Sequence, residues 1–159
     1  MGTLRTTTQV ADLLGVPPHR VIHLVESGVV RPHENPKGRG QVRRYNRDDV
    51  LLVALALELQ RWGVTVRLLQ PLSLYLRRFF ETVQQGGGRD FVGTLRGLSR
   101  KQARVRLHLV GEDKAVFETP AFRTLVGADM QFGEVPKDEW PFTASWVTVD
   151  VQQIAKRVG

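Results

Sequence analysis

The first apolar residues of the chain recur at helical spacing and predict two short amphipathic helices separated by a tight turn. Thr6 and Gln9 have the T-x-x-Q spacing of a capping box, in which each side chain satisfies a free backbone N–H at the helix start. Gly15 is predicted to end the first helix, because glycine tolerates the left-handed conformation common at helix C-termini. The apolar face of that helix consists of Val10, Ala11, Leu13 and Leu14.

The second predicted helix begins at Pro18, where the missing N–H costs nothing, and ends at Gly28. Its buried positions are Val21, Leu24 and Val25. Two helices joined by so short a turn cross steeply, which leaves the polar face of the second one projecting from the surface. Such a helix can enter the major groove of DNA. We therefore expect DNA contacts from Pro18, His19, Arg20 and His23.

Residues 31–47 form a basic segment with a single acid, Glu34. The prolines and glycines between positions 32 and 40 exclude a regular helix and predict an exposed hairpin, or wing. A charge run alone usually marks a solvated surface, so the prediction depends on the helix pair beside it. Cations on such a loop suit contact with DNA phosphates. The wing residues expected to contact DNA are Lys37, Arg39, Arg43, Arg44 and Tyr45.

A third helix is predicted after the wing. Asn46 is a natural N-cap, and Asp48 and Asp49 fall in the first turn, where acids complement the helix dipole. The helix is apolar on nearly all sides as far as about Trp62, which predicts a position in the middle of the core. A short helix is expected to follow it and to end at Pro71.

The order of these features resembles the MerR family of transcription regulators. The resemblance extends from Thr6 to about Leu72 and implies a winged helix-turn-helix domain that binds DNA. It is carried by V-A-D-L-L-G-V at 10–16, G-V-V at 28–30, R-x-Y at 43–45, D-D-V at 48–50 and E-L-Q-R-W-G-V-T-V-R at 58–67.

A further helix is predicted from Leu72 to Gln85, with a narrow apolar seam at heptad-like spacing. In the MerR family a long helix at this place makes an antiparallel dimer contact, which implies that the seam joins two copies of the chain. The alternative is a helix folded back onto its own domain. The seam residues are Leu72, Leu76, Phe79 and Val83.

The glycine triplet at 86–88 predicts a hinge, and the periodicity changes after it. Apolar and polar residues alternate over 103–110 and over 146–151, which predicts two half-buried strands with one or two short strands between them. Asp150 is then placed to cap a last helical turn. The predicted class is α+β: a winged helix-turn-helix domain at 1–71, a connecting helix and hinge at 72–88, and a small mixed α+β unit with antiparallel strands at 89–159, serving effector binding or dimerisation.

The formal net charge of +7 is unevenly distributed. Residues 1–110 contain 18 Lys and Arg against 8 Asp and Glu, whereas residues 111–159 contain 5 against 8, so only the front of the chain is expected to face a polyanion. The absence of cysteine excludes disulfides and thiolate metal sites. No apolar run approaches the length of a membrane span and no signal peptide is visible, so we expect a cytoplasmic protein without membrane association.

The C-terminal unit is rich in large apolar side chains. Trp140, Phe142 and Trp146 are candidates for the lining of a pocket that binds an apolar or aromatic ligand, with nearby acids favouring a cation. The alternative is that these aromatic residues form the core of the unit.

Two function classes are compatible with the sequence, and no pattern in it predicts catalysis. His19 and His23 have the i, i+4 spacing of metal ligands, but no acidic third ligand is placed nearby, so neither a metal nor another cofactor is expected. A transcription regulator would bind double-stranded DNA as a homodimer and respond to a small-molecule effector or to RNA polymerase. An architectural or recombination accessory protein would bind DNA without an effector.

Overall fold

The computed structural model describes residues 2–87, 90–136 and 147–158. Most of the helices lie in the N-terminal part, and an antiparallel sheet follows in the C-terminal part. The helices are α1 (Thr7–Leu14), α2 (Pro18–Glu26), α3 (Arg47–Arg61), α4 (Val66–Gly87), α5 (Phe91–Arg100) and α6 (Val151–Val158). The strands are β1 (Arg5–Thr6), β2 (Arg44–Tyr45), β3 (Arg106–Leu109), β4 (Lys114–Glu118), β5 (Arg123–Gly127), β6 (Phe132–Val135) and β7 (Val147–Asp150).

The predicted capping of α1 is confirmed. The backbone N–H of Thr6 donates to the side-chain oxygen of Gln9 at 2.8 Å, and the N–H of Gln9 donates to the Thr6 hydroxyl at 3.3 Å. Gly15 has a φ of +66°, and its N–H returns to the last turn of α1. The turn to α2 therefore begins where the sequence placed it, because both caps depend on partners within a few residues.

The third helix is the centre of the core. Asn46 and Asp49 form a capping box at its start, and every residue from Asp48 to Leu57 is buried. Helices α2, α4, α5 and α6 all contact α3. A helix that is covered on all sides must be apolar on all sides, as its sequence indicated.

The prediction that Pro71 ends a short helix is wrong. Helix α4 continues through Pro71 for 22 residues, about 33 Å at 1.5 Å per residue. A proline inside a helix costs about 3 kcal/mol, because it removes a hydrogen bond and crowds the preceding turn. Burial of a leucine side chain contributes about 1.5–3 kcal/mol, and the buried positions recur every four residues across the proline. These positions are Leu68, Leu72, Leu76 and Phe80.

The C-terminal part contains a five-stranded antiparallel sheet with the strand order β6-β5-β4-β3-β7. Among the described residues, three strands lie between the two predicted ones, where one or two were expected. The helix α5 was not predicted. The Asp150 side chain accepts hydrogen bonds from the N–H groups of Gln152 and Gln153, at 3.0 and 3.2 Å, so its predicted role as the cap of the last helix is confirmed.

The apolar seam of α4 packs within the chain and not on its surface. Leu72 and Leu76 are 2% and 3% exposed, and Val83 is packed against the same core. The ring of Phe79 makes edge contacts with the rings of Phe91 and Phe117, both at 5.3 Å between centroids. The dimer contact expected from these four residues is therefore corrected: the seam is covered by α5 and the sheet, which is the alternative of a helix packed on its own domain.

The hydrophobic core is continuous across the predicted hinge. Gly86 and Gly87 are the last residues of α4, and Gly88 lies outside the described residues. The buried carboxylate of Asp48 on α3 accepts hydrogen bonds from the N–H groups of Phe91 and Val92 at 3.0 and 3.1 Å. The start of α5 is thus fastened to the central helix. Within the described ranges, no helix combines the length and the apolar character needed to cross a membrane.

Candidate nucleic-acid interface

The outward face of α2 carries His19 and His23, both exposed, with Pro18 exposed at its start. Val21 and Leu24 face the core and are fully buried. At about 100° per residue, the two histidines lie about 40° apart on the side opposite the buried residues. The packing of α2 against the core therefore leaves its polar face exposed, as the sequence predicted.

Arg20 and Ile22 flank this outward face on its two sides. They are two positions apart, so they lie about 200° apart around the helix axis. Ile22 borders a depression that it shares with the start of α1 and with the loop at 35–43. Arg20 is half-buried, and its guanidinium donates to the side-chain oxygen of Gln60 on α3 at 3.5 Å. Arg20 thus lies on the side of α3, whereas Ile22 lies on the side of the loop.

The basic segment forms a loop whose ends are joined by backbone hydrogen bonds. Glu34 and Arg44 pair in an antiparallel bridge, with both N–H···O distances at 3.0 Å, and strand β2 pairs in turn with β1. We call residues 34–44 the wing loop. Lys37, Arg39 and Arg44 are exposed on it, and Arg43 is half-buried with its Nε donating to Asn35 at 3.3 Å.

The depression between α1, α2 and the wing loop has a volume of about 440 Å³. Lys37 and Arg43 line it, and none of the described residues that line it is acidic. Three threonines at the start of α1, at positions 6–8, also line it. Cations and hydroxyl groups at a helix N-terminus are groups that hold phosphate oxygens in protein–DNA complexes.

Residues 5–73 match the family model described as MerR HTH family regulatory protein. These residues form a MerR-family helix-turn-helix domain. The match ends shortly after Pro71 and does not include α5, the five-stranded sheet or α6. It indicates DNA-binding transcription regulation as the function of the domain. No curated protein matches the chain.

Tyr45 does not belong to the exposed part of the MerR-family domain. Its side chain is fully buried, and its hydroxyl lies 3.2 Å from the hydroxyl of Thr7. Burial raises the pKa of Tyr45, which the hydrogen bond to Thr7 partly offsets. The expectation that Tyr45 contacts the DNA backbone is therefore wrong. Strand alternation was the available signal, because Arg44 faces solvent and the next residue in an extended segment faces the core.

Asp49 and Arg77 hold the segment that leads into the wing loop, a role that the sequence did not indicate. The Asp49 carboxylate accepts hydrogen bonds from the N–H groups of Asn46 and His33, at 3.0 and 2.8 Å, and lies 3.6 Å from the Arg77 guanidinium. Arg77 also donates to the backbone oxygen of Arg31. Burial raises the pKa of Asp49, and the hydrogen bond from Asn46 and the charge of Arg77 oppose the shift. The entry to the wing loop is thus fastened to both α3 and α4.

The predicted ligand-pocket residues Trp140, Phe142 and Trp146 lie outside the described residues. A depression of about 950 Å³ lies elsewhere, between the α3–α4 turn and the end of the sheet. The side chain of Trp62 is 55% exposed there, and Glu112 and Asp113 also line the depression. In the described part of the chain, no three His, Asp or Glu side chains are grouped in a way that could hold a metal ion.

Proposed function

We propose that the chain is a sequence-specific regulator that binds double-stranded DNA as a homodimer, with α2 in the major groove and the wing loop on the phosphate backbone. The observation that carries this proposal is the exposed polar face of α2 beside a depression whose described lining includes two cations and no acid. A helix with its side chains has a diameter of about 10–12 Å, which matches the width of about 12 Å of the major groove.

Within this arrangement the two histidines of α2 contact base edges. Each imidazole offers both a hydrogen-bond donor and an acceptor, so His19 and His23 can discriminate among bases. Lys37, Arg39 and Arg43 supply charge to the phosphates, which fixes register without reading sequence. Arg44 is exposed but lies 3.4 Å from Glu34, so part of its charge is already neutralised in the free protein.

A dimer is proposed because one recognition helix reads only a few base pairs, and two half-sites about one helical turn apart add affinity. Since the seam of α4 is covered, the sheet supplies the better contact. Strand β6 is at one edge of the described sheet, and the nearby side chains of Met130 and Phe132 are 49% and 40% exposed. Exposed apolar residues beside an edge strand favour pairing with a second copy.

The C-terminal part is proposed to respond to a small-molecule effector or to RNA polymerase. The depression at Trp62 favours a small-molecule effector over RNA polymerase. It lies between the end of α3 and the sheet and combines an exposed indole with two carboxylates. These groups favour an aromatic cation. DNA bending without any change in affinity on addition of such compounds would instead favour an architectural or recombination accessory protein.

The experiment that tests the function is selection of binding sites from random duplexes by the full chain, followed by affinity measurements on the selected site and on a scrambled duplex. The selected site should contain two half-sites about 10 base pairs apart. Replacing His19 and His23 together with Ala should reduce the preference for the selected site by at least about thirtyfold, since two base contacts contribute about 1–3 kcal/mol each. Binding to the scrambled duplex should change little.

The matched control is His33→Ala, which removes an exposed histidine that is not on α2. It should leave the preference unchanged. If the double variant keeps the full preference, α2 does not read the bases, and if the selected sites contain a single half-site, the chain does not bind as a dimer.

A further inference from the structure

The last helix, α6, packs on the MerR-family domain. It contacts α1 and α3 as well as α5, with Val151, Ile154, Ala155 and Val158 buried. The side chain of Gln152 fixes its position, because its amide nitrogen donates to the backbone oxygen of Ala103 at 2.6 Å and its oxygen accepts from the N–H of Val105 at 3.3 Å. Gln152 thus fastens the start of α6 to the segment between α5 and β3, while the buried face of α6 packs on α1 and α3.

The packing of α6 places Arg157 beside the recognition helix. A depression of about 180 Å³ is bordered by Arg20 of α2, Arg61 of α3 and Arg157 of α6. Its apolar floor consists of Leu14, Val16, Ala54 and Leu57. The three arginines are far apart in the sequence, so no linear motif could have revealed the cluster.

The cluster has an excess of positive charge. Glu58 is the one acid among the described residues that line the depression, and it lies 3.1 Å from Arg61 and accepts a hydrogen bond from the Trp62 indole at 3.4 Å. The side chain of Arg61 is nevertheless 68% exposed, and Arg157 is exposed as well. Guanidinium groups bind phosphate oxygens through paired, charge-assisted hydrogen bonds.

The position of the cluster relative to α2 decides what it binds. Arg20 and Ile22 lie on opposite sides of α2, so the arginine cluster and the wing-loop depression flank the outward face of the helix. A helix in the major groove has one phosphate strand on each side of it. One strand would pass the wing loop, and the other would pass the arginine cluster.

We infer that Arg157, together with Arg20 and Arg61, binds a backbone phosphate of the DNA strand opposite to the one contacted by the wing loop. The inference rests on the proposed function and adds the C-terminal helix to the DNA-binding surface. The apolar floor offers no donors to an engulfed small anion. The cluster therefore holds an anion only at its rim, as suits a duplex that runs past it.

The test is the salt dependence of DNA binding by the full chain and its Arg157→Gln variant, on the selected and on the scrambled duplex. Loss of one phosphate contact should reduce the slope of log K against log salt concentration by about 0.9, equally on both duplexes. Arg157→Lys should retain most of the slope, because it retains the charge. The matched control is Arg96→Gln, which removes an exposed arginine of α5 that borders neither depression.

An unchanged slope for Arg157→Gln, when the wild-type chain binds DNA and the variant has the same melting temperature, would overturn the inference while leaving the proposed function intact. An equal loss for Arg96→Gln would also overturn it, because the effect would then be one of net charge. Stabilisation of the wild type, but not of Arg157→Gln, by millimolar inorganic phosphate would assign the cluster to a small anion instead. A wild-type chain that binds no duplex even at low salt would overturn the proposed function and this inference together.

Discussion

The Asp48 side chain provides a quantitative test of how the helix-turn-helix domain is joined to the rest of the chain. It is 5% exposed and accepts hydrogen bonds from the N–H groups of Phe91 and Val92 and from the side chain of Gln84, the last at 2.8 Å. In Asp48→Ala, two buried backbone N–H groups at the start of α5 lose their acceptor. Each such group costs about 1–3 kcal/mol, so the variant should lose about 2–6 kcal/mol of its free energy of unfolding.

This loss is large for a domain whose total stability is about 5–15 kcal/mol. A loss of 3 kcal/mol corresponds to about 6–12 °C in melting temperature for a chain of this length. Urea denaturation followed by circular dichroism measures it, and amide hydrogen exchange should show the greatest loss of protection at Phe91 and Val92. Asp48→Asn, which keeps one oxygen acceptor, should lose an intermediate amount.

The matched control is Asp12→Ala, at an exposed aspartate of α1, which should change the free energy of unfolding by less than about 0.5 kcal/mol. If Asp48→Ala loses less than about 1 kcal/mol, the carboxylate does not fasten α5 to α3 and the reasoning is refuted.

Two further predictions concern buried polar groups. Tyr45→Phe removes only the hydrogen bond to Thr7, so it should lower the free energy of unfolding, measured by urea denaturation, by about 0.5–1.5 kcal/mol and leave DNA affinity unchanged. A loss of affinity would show that the hydroxyl contacts the DNA backbone. Burial raises the pKa of Glu118, but the hydrogen bonds from Arg123 and His108 lower it more, so its pKa lies below the ordinary value of 4.5. The Glu118 carboxylate therefore stabilises the fold above that pH and loses its contribution as the pH falls through its lowered pKa, and Glu118→Gln should lack this part of the acid dependence in denaturation at pH 3–6. Parallel pH profiles for the two proteins would contradict the prediction.

The sequence predicted those features whose partners are close in the chain. The capping boxes at Thr6 and Asn46 join residues three positions apart, and the projecting face of α2 follows from helical periodicity alone. The errors occurred where distant residues decide the outcome. Pro71 lies within a helix because a stripe of buried leucines extends across it, and Tyr45 is buried because β2 pairs with β1, about 40 positions earlier.

The candidate site follows the same rule: its parts built from nearby residues were predicted, and those built from distant residues were not. The wing-loop depression is built from neighbouring segments, so its cations could be found from composition and spacing. The arginine cluster depends on α6 folding back onto the N-terminal domain, and the seam of α4 was misassigned because its partners, α5 and the sheet, were not predicted. Apolar spacing shows that a face is buried, but it does not show whether the chain itself or a second copy covers it.

The packing around α3 determines how the C-terminal residues can influence DNA binding. A hinge at the glycine triplet would have to separate α5 and α6 from α3 and expose their buried side chains, including Leu95, Val151 and Ile154. Exposing three such residues would cost about 5–9 kcal/mol, whereas the coupling between two sites in a protein is typically about 1–3 kcal/mol. An effector bound at the sheet would therefore act by small shifts within a closed core. Because α6 contacts both the sheet and α1, such a shift would move Arg157 relative to α2 and change the affinity for phosphates without opening the protein.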